Sequence, residues 1–426
     1  GLNSVAVTAT AGSTGTLSTD GATIEADRVL ITNESEVSAE ARAKGIAAGG
    51  LAIGASVATS DMRVTLDSQI DASIRAQDIT LITRLNGDRF DTSAAFSTSA
   101  AGGILAGNGA VSSAWTNHAI AARIGGRFEA SNETRIETGT SAVHARAETT
   151  GAVGGVLAVG RTVAQAGQNQ DAALTADERL ARVDLLVDDA TFAGKGIVID
   201  TANATSTTVK AVSGSGGVLA GSASEAITTA ATRTRASFGQ GGAVLFDGLE
   251  SLEITTGQVQ TLASLVDTTS AAALGNSGAI SRGTVTSTVA ATLGGGVAIT
   301  ADAIEITATN AVNRPEDGFN MLSGSGGVFD SAAMASDMVL SVETDLVVED
   351  GAQVLQTGTR GNAEAFALAA RNVLVTHSLT CKVSDFGLFK DHQYYDMHRG
   401  KVVPVRWSAP EVLNLERVRS TCGRED

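Results

Sequence analysis

Residues 64–81 read VTLDSQIDASIRAQDITL, and their reading decides the fold. Val64, Leu66, Ile70, Ala72, Ile74 and Ala76 alternate with Thr65, Asp67, Asp71, Ser73 and Arg75. That period of two places the apolar side chains on one face of a strand. The alternation breaks once, at Gln77-Asp78, and resumes with Ile79 and Leu81. Asp tolerates unusual backbone angles and bonds its own backbone, so the break reads as a corner. The unit Ile74-x-Ala76-x-x-Ile79-x-Leu81 recurs as Ile24-x-Ala26-x-x-Val29-x-Ile31, Phe192-x-Gly194-x-x-Ile197-x-Ile199 and Ile299-x-Ala301-x-x-Ile304-x-Ile306. A copy ending at Ile136 carries one extra residue, and copies ending at Ile254 and Val354 are degenerate. The intervals between these end points are 50, 55, 63, 55, 52 and 48 residues, a mean near 54.

A second marker keeps the same period. Gly49-Gly50-Leu51-Ala52, Gly102-Gly103-Ile104-Leu105-Ala106, Gly154-Gly155-Val156-Leu157-Ala158 and Gly216-Gly217-Val218-Leu219-Ala220 are close copies, and Gly326-Gly327-Val328-Phe329 is a weaker one. Two independent markers with one period make a repeat array. Strand, short corner and strand, with hardly any Pro, describe a chain wound so that each strand pairs with its equivalent in the next turn. With strands of about five residues, a three-sided turn takes about 20–25 residues, so each repeat is expected to supply two or three turns. The fold expected for residues 1–364 is all-β, a solenoid of about 54-residue repeats. A string of β-sandwich domains is the rival, and Ala39–Ala48 has the propensity for a short helix.

Composition agrees with thin layers. The 426 residues are 43% hydrophobic but only 4% aromatic, so the core must come from Ala, Val, Ile and Leu. Collagen is excluded, because 48 Gly and three Pro fall far below its demands. A net charge of -16 argues against nucleic acid as a partner. No apolar span long enough to cross a membrane occurs. His118 and His144 are the only histidines before residue 365 and read as surface or hydrogen-bonded residues, with no carboxylate at a suggestive spacing. The acidic residues do not form a calcium-binding nonapeptide. Asn33, Asn132 and Asn203 start N-x-S/T triplets. Gly1 and not Met stands first, and no signal peptide is visible, so the chain reads as a fragment or a processed product.

The Gly-Gly-aliphatic-Leu-Ala-Gly blocks at 102–107 and 216–221, with ends such as Ala119–Gly125, resemble the repeats of large bacterial secreted filamentous adhesins of the filamentous-haemagglutinin and leukotoxin type. That resemblance implies a right-handed parallel β-helix (solenoid), secretion or export to the cell surface, and binding to cells or to other surface molecules.

Residues 365–426 are of another kind. Both cysteines (Cys381, Cys422), both tyrosines and two of the three prolines lie there. Leu368-Ala369-Ala370-Arg371-Asn372-Val373-Leu374-Val375, Lys382-Val383-Ser384-Asp385-Phe386-Gly387-Leu388 and Pro404-Val405-Arg406-Trp407-Ser408-Ala409-Pro410-Glu411 follow one another in order. They resemble the catalytic loop, the metal-binding segment and the end of the activation segment of a protein tyrosine kinase. The resemblance implies that Asn372 and Asp385 hold the magnesium ions of ATP, and that Tyr394 and Tyr395 are activation-loop phosphorylation sites. The sequence departs from the family where the catalytic Asp belongs, because Ala367 stands there, after Ala365 and Phe366. No Gly-rich loop or paired Lys and Glu is recognisable upstream, and residues 365–426 are too few for a two-lobed nucleotide cleft.

The expectation is therefore a structural or adhesive surface protein with a kinase-derived tail that does not transfer phosphate. ATP and magnesium would be cofactors only of a complete kinase domain. The alternatives are an incomplete or mis-joined tyrosine kinase, which would be cytoplasmic, and a tail that serves as a docking module.

Overall fold

A computed structural model describes residues 1–86, 92–315, 318–357, 366–375 and 381–383. The alternating stretches become strands of unusual length, because the period of two runs on for dozens of residues. They are β1 (Leu2–Glu25), β2 (Arg28–Glu36), β3 (Ala39–Ala48), β4 (Leu51–Asn86), β5 (Ser93–Thr140), β6 (Val143–Gly167) and β7 (Ala181–Phe238). Then follow β8 (Val244–Leu293), β9 (Val297–Asn313), β10 (Phe319–Gly326), β11 (Phe329–Val348), β12 (Gln353–Gln356), β13 (Phe366–Val375) and β14 (Cys381–Val383). No α-helix occurs among the described residues. Ala39–Ala48, helical by propensity, is the strand β3, and every second residue from Ala39 to Ala47 is buried. Burying one alanine face against a facing strand overrides the weak helical preference.

All the strands belong to one sheet, with the order β1-β4-β5-β6-β7-β8-β9-β13-β14 along its main path. Pairing is parallel throughout except for the short antiparallel contact of β13 with β14. A string of antiparallel sandwiches is thereby excluded for the described residues. Each residue pairs with its equivalent one repeat later: Leu2 with Ile53, Leu51 with Leu105, Ser93 with Ala145, Ala190 with Val244. The expectation of two or three turns per repeat is corrected by this register. Partners stand 51 to 54 residues apart in these pairs, so one whole repeat separates neighbouring strands. The alternation runs on through most of the places where short strands would have ended, and it breaks at the signature and at the Gly-Gly bends.

Within a repeat the strand doubles back, and its two arms face each other through side chains. Around the Gly49-Gly50 bend, the Ser60 hydroxyl donates to the Ala39 carbonyl (2.9 Å), and Ser56 and Ser97 share a hydrogen bond (2.7 Å). Around the break in the signature, the Thr83 hydroxyl donates to Ser68 (2.7 Å), while Leu66 and Leu85 share one buried cluster. The breaks coincide with irregularities in the pairing, at Ala76/Asp78, Ala193/Gly196 and Phe246/Leu249.

The interior tapers. Near the signature it is filled by Ile, Leu and Phe, with Ile24, Ile74, Phe128, Phe192, Phe246 and Ile299 forming one column through successive strands. The rings of Phe128, Phe192 and Phe246 stack at 5.0 and 5.1 Å. Towards the Gly-Gly bends the core is almost all alanine. There the layers approach so closely that a Cβ on Gly45 or Gly54 would strike the carbonyl oxygen of Ala55 or Ala100. The scarcity of aromatic residues thus follows from layer spacing.

The 63-residue interval has a local cause. An irregular segment, 168–180, lies between β6 and β7 and moves the partner offset from 52 (Trp115 with Gly167) to 63 (Ala119 with Arg182). Thr175 and Glu178 close it on themselves, with the Thr175 hydroxyl donating to Glu178 Oε2 (2.7 Å), and the Asn117 amide ties it down by donating to the Glu178 carbonyl (2.7 Å).

By internal contacts, Gly1–Val383 is one unit and Ser384–Asp426 another. The strand β13, which begins the kinase-like segment, belongs to the first. One end point of the signature needs correcting. Ile31, Leu81, Ile136, Ile199, Ile254 and Ile306 do share a column, but Val354 pairs with Ile299 and the place after Ile306 is taken by Leu368.

Candidate functional site in the kinase-like segment

The stretch Phe366–Val375 carries alternation of its own, which is enough to extend a parallel sheet. It pairs in register with Ile304–Asn313 of β9. Leu368 packs against the Ile and Phe core, Ala369 is buried, and Arg371 is exposed. Ala367, at the position of the absent carboxylate, is half-buried opposite Glu305.

Asn372 enters a column that the sequence reading did not foresee. Asn203, Gln258, Asn310 and Asn372 are consecutive partners across β7, β8, β9 and β13, and all four are buried. A buried amide is costly unless its donors and acceptors are paired. Asn310 is paired fully: its amide donates to the carbonyls of Ser287 (3.2 Å) and Glu343 (3.0 Å) and accepts from the Ser287 hydroxyl (2.6 Å). Gln258 Oε1 accepts from Thr234 (2.9 Å), and Asn372 Oδ1 accepts from the Thr344 hydroxyl. The signal was present in the sequence as polar residues at inward positions of otherwise apolar strands, but it cannot be seen until the register is known.

A magnesium ion needs oxygen ligands that converge and are open to it. Asn372 is 3% exposed, and its amide oxygen is engaged by Thr344. Among the described residues no three His, Cys, Asp or Glu side chains come together as a metal site. The arrangement of Asn372 therefore does not fit a magnesium ligand, and no catalytic step is derived through ATP or the metal. Asp385, Tyr394 and Tyr395 lie outside the described residues.

His118 is the most perturbed titratable group of the unit. It is buried, and its Nε2 lies 3.1 Å from Asn203 Oδ1, which places the proton on Nε2. Burial disfavours the charged ring and pulls its pKa down to about 4, against the opposing effect of the bond to Asn203. Its Nδ1 has no partner among the described residues. Among the described residues no carboxylate lies within hydrogen-bond reach of the ring, so none of them forms an acid–base pair with it. His144 is half-buried, and its backbone N–H donates to Thr92. Of the N-x-S/T asparagines, Asn33 and Asn203 are buried, whereas Asn132 is exposed and donates to Asp78 (2.7 Å). No helix among the described residues is long and apolar enough to cross a membrane.

Comparison with known proteins agrees with the motifs of the tail. The family model described as "Protein tyrosine and serine/threonine kinase" matches residues 367–422. Ephrin type-A receptor 3 of Danio rerio is 46% identical over 57 residues, 12% of this chain and 6% of that protein. Tyrosine-protein kinase Srms of Mus musculus is 56% identical over 50 residues, 11% of this chain and 10% of that protein. The chain thus spans a tenth or less of the length of these relatives. No solved structure matches it. The part of the chain that is similar to known proteins is a short segment of a tyrosine kinase domain, confined to the C-terminal stretch.

Proposed function

We propose that residues 1–364 form a right-handed parallel β-helix that serves as a non-catalytic structural and adhesive scaffold at a cell surface, with the kinase-derived tail carried along without phosphotransfer activity. The observation that carries this reading is the parallel register kept from repeat to repeat, in which each strand satisfies the backbone of the next. An arrangement of that kind gives a long, regular surface. The tail's silence rests on Ala367, which cannot take a proton from a substrate hydroxyl. It rests also on Asn372, whose amide oxygen is engaged by Thr344 inside the sheet.

The test has two arms on the full chain. Negative-stain electron microscopy should show a single elongated particle, and separate globules would refute the scaffold. Incubation with radiolabelled ATP and a tyrosine-containing peptide should give no turnover, and turnover abolished by Asp385→Ala would refute the silent tail.

One observation favours a second reading, that of an incomplete or mis-joined tyrosine kinase: the match over residues 367–422. Transcript reads across residues 355–375 that continue into a full catalytic domain with the missing carboxylate would favour it.

A further inference from the structure

The Gly-Gly bends bring together one set of side chains that the fold leaves uncovered. Leu51, Leu105, Leu157, Leu219, Leu274 and Phe329 are consecutive partners along the sheet. All six are exposed, from 41% at Leu219 to 71% at Phe329. Beside this ladder, Ile104, Val156, Val218 and Val328 are 51–77% exposed. The alternation that buries every second residue elsewhere is lost here, because the chain turns and two successive side chains face outward. Leu157, Leu219, Leu274 and Phe329 of the ladder line a shallow groove together with Ala158 and Ala220.

Burying this stripe would remove a sizeable apolar area from water. At about 60–120 Å² of apolar surface for a fully exposed side chain of this size, ten of them half exposed present about 450 Å². A standard interface covers about 800 Å² on each partner and is about 57% non-polar, which also comes to about 450 Å². A contiguous patch of this extent is of the size of the largest apolar patch on a typical monomer, which is often a functional surface.

Charge and spacing select the occupant. No Asp, Glu, Lys or Arg falls within residues 48–54, 101–107, 153–160, 215–221, 270–276 or 325–329. The stripe is therefore neutral in a chain of net charge -16, and it is where two copies can meet with the least repulsion. A lipid surface is a poorer match, since anionic membranes attract basic segments and this surface has none. The rungs repeat at the strand spacing of about 4.8 Å, and the surface best matched to that pitch is the same ladder on another molecule.

We propose that the stripe of exposed Leu, Val and Ile side chains at the Gly-Gly bends is a homodimer interface, occupied by the same stripe of a second copy of this chain. Sedimentation equilibrium of the full chain, from low to high micromolar concentration, should give twice the mass of the 42.9 kDa monomer. Added salt should tighten the dimer by screening the acidic remainder. The triple variant Leu105→Ser, Leu157→Ser, Leu219→Ser should raise the dissociation constant at least about a hundredfold with an unchanged circular dichroism spectrum. The pair Leu274→Ser, Phe329→Ser provides an independent check and should weaken the dimer in the same direction. Three results would overturn the proposal: a wild-type monomer at every concentration, a dimer that tolerates both variants, or a monomer that floats with phosphatidylcholine vesicles in a way the triple variant abolishes.

Discussion

Replacing Phe192 by Ala should open the interior at its most closely stacked point. Phe192 is fully buried, with Phe128 one strand to one side at 5.0 Å and Phe246 on the other at 5.1 Å. Removing a buried phenylalanine ring costs about 3–5 kcal/mol from lost transfer energy and the cavity left behind. Each stacked pair is worth about 0.5–1.5 kcal/mol beyond its area, and two pairs are lost here. The neighbouring rings cannot close the gap, because the hydrogen bonds of the ladder fix the strand spacing. Both considerations place Phe192→Ala at the upper end, about 4–5 kcal/mol. Phe192→Leu keeps most of the volume and should cost about 1.5 kcal/mol or less. Because stability in a repeat array is local, the loss should be uneven along the chain. Hydrogen exchange read by mass spectrometry should show peptides around 119–136, 190–199 and 244–254 losing protection, while those of β1 keep theirs. Uniform loss along the chain, or a cost below about 1 kcal/mol, would refute the layered account of the core.

Three further outcomes are expected. His118 is neutral in the folded chain with a pKa near 4, whereas unfolding returns it to 6.5, so its contribution is complete above pH 6.5 and is lost as the pH falls towards 4. That amounts to about 3 kcal/mol over the interval, and urea titrations at several pH values should show His118→Gln losing this part of the slope while the wild type keeps it. Gly194 has φ of 145°, and a Cβ there would collide with the Ala130 carbonyl oxygen, so Gly194→Ala should lose more than about 1 kcal/mol in thermal unfolding. Gly257, with open space around it, should accept Ala with little change. Asn310→Ala should cost about 1–3 kcal/mol by leaving the Ser287 and Glu343 carbonyls without their donor, and Asn310→Asp should not rescue it in the same unfolding assay, since a carboxylate cannot donate.

Much of the architecture was legible because backbone pairing copies the sequence period into space. Ile24, Ile74, Phe192 and Ile299, aligned by spacing alone, do occupy one column, and the Gly-Gly blocks do stack. The break at Gln77-Asp78 marks a true irregularity of pairing. The length of the strands was not legible. A period of two says which way a side chain points, not where the chain turns, so 36 residues of β4 could be read equally well as several short strands. The copy ending at Val354 misled for a related reason, since a degenerate signature fits two neighbouring columns. For the kinase-like segment, the motifs gave the likeness correctly, but they could not tell that Leu368 and Asn372 also satisfy the inward pattern of the repeats. A segment with kinase motifs and a repeat strand can carry the same alternation over ten residues.

The irregular segment between β6 and β7 bears on how such a chain can change its length. It inserts eleven residues, and the strands on either side recover their pairing. Growth at a seam like this is absorbed at the periphery, and duplication of a whole unit would present each neighbour with the same bonding edge it had before.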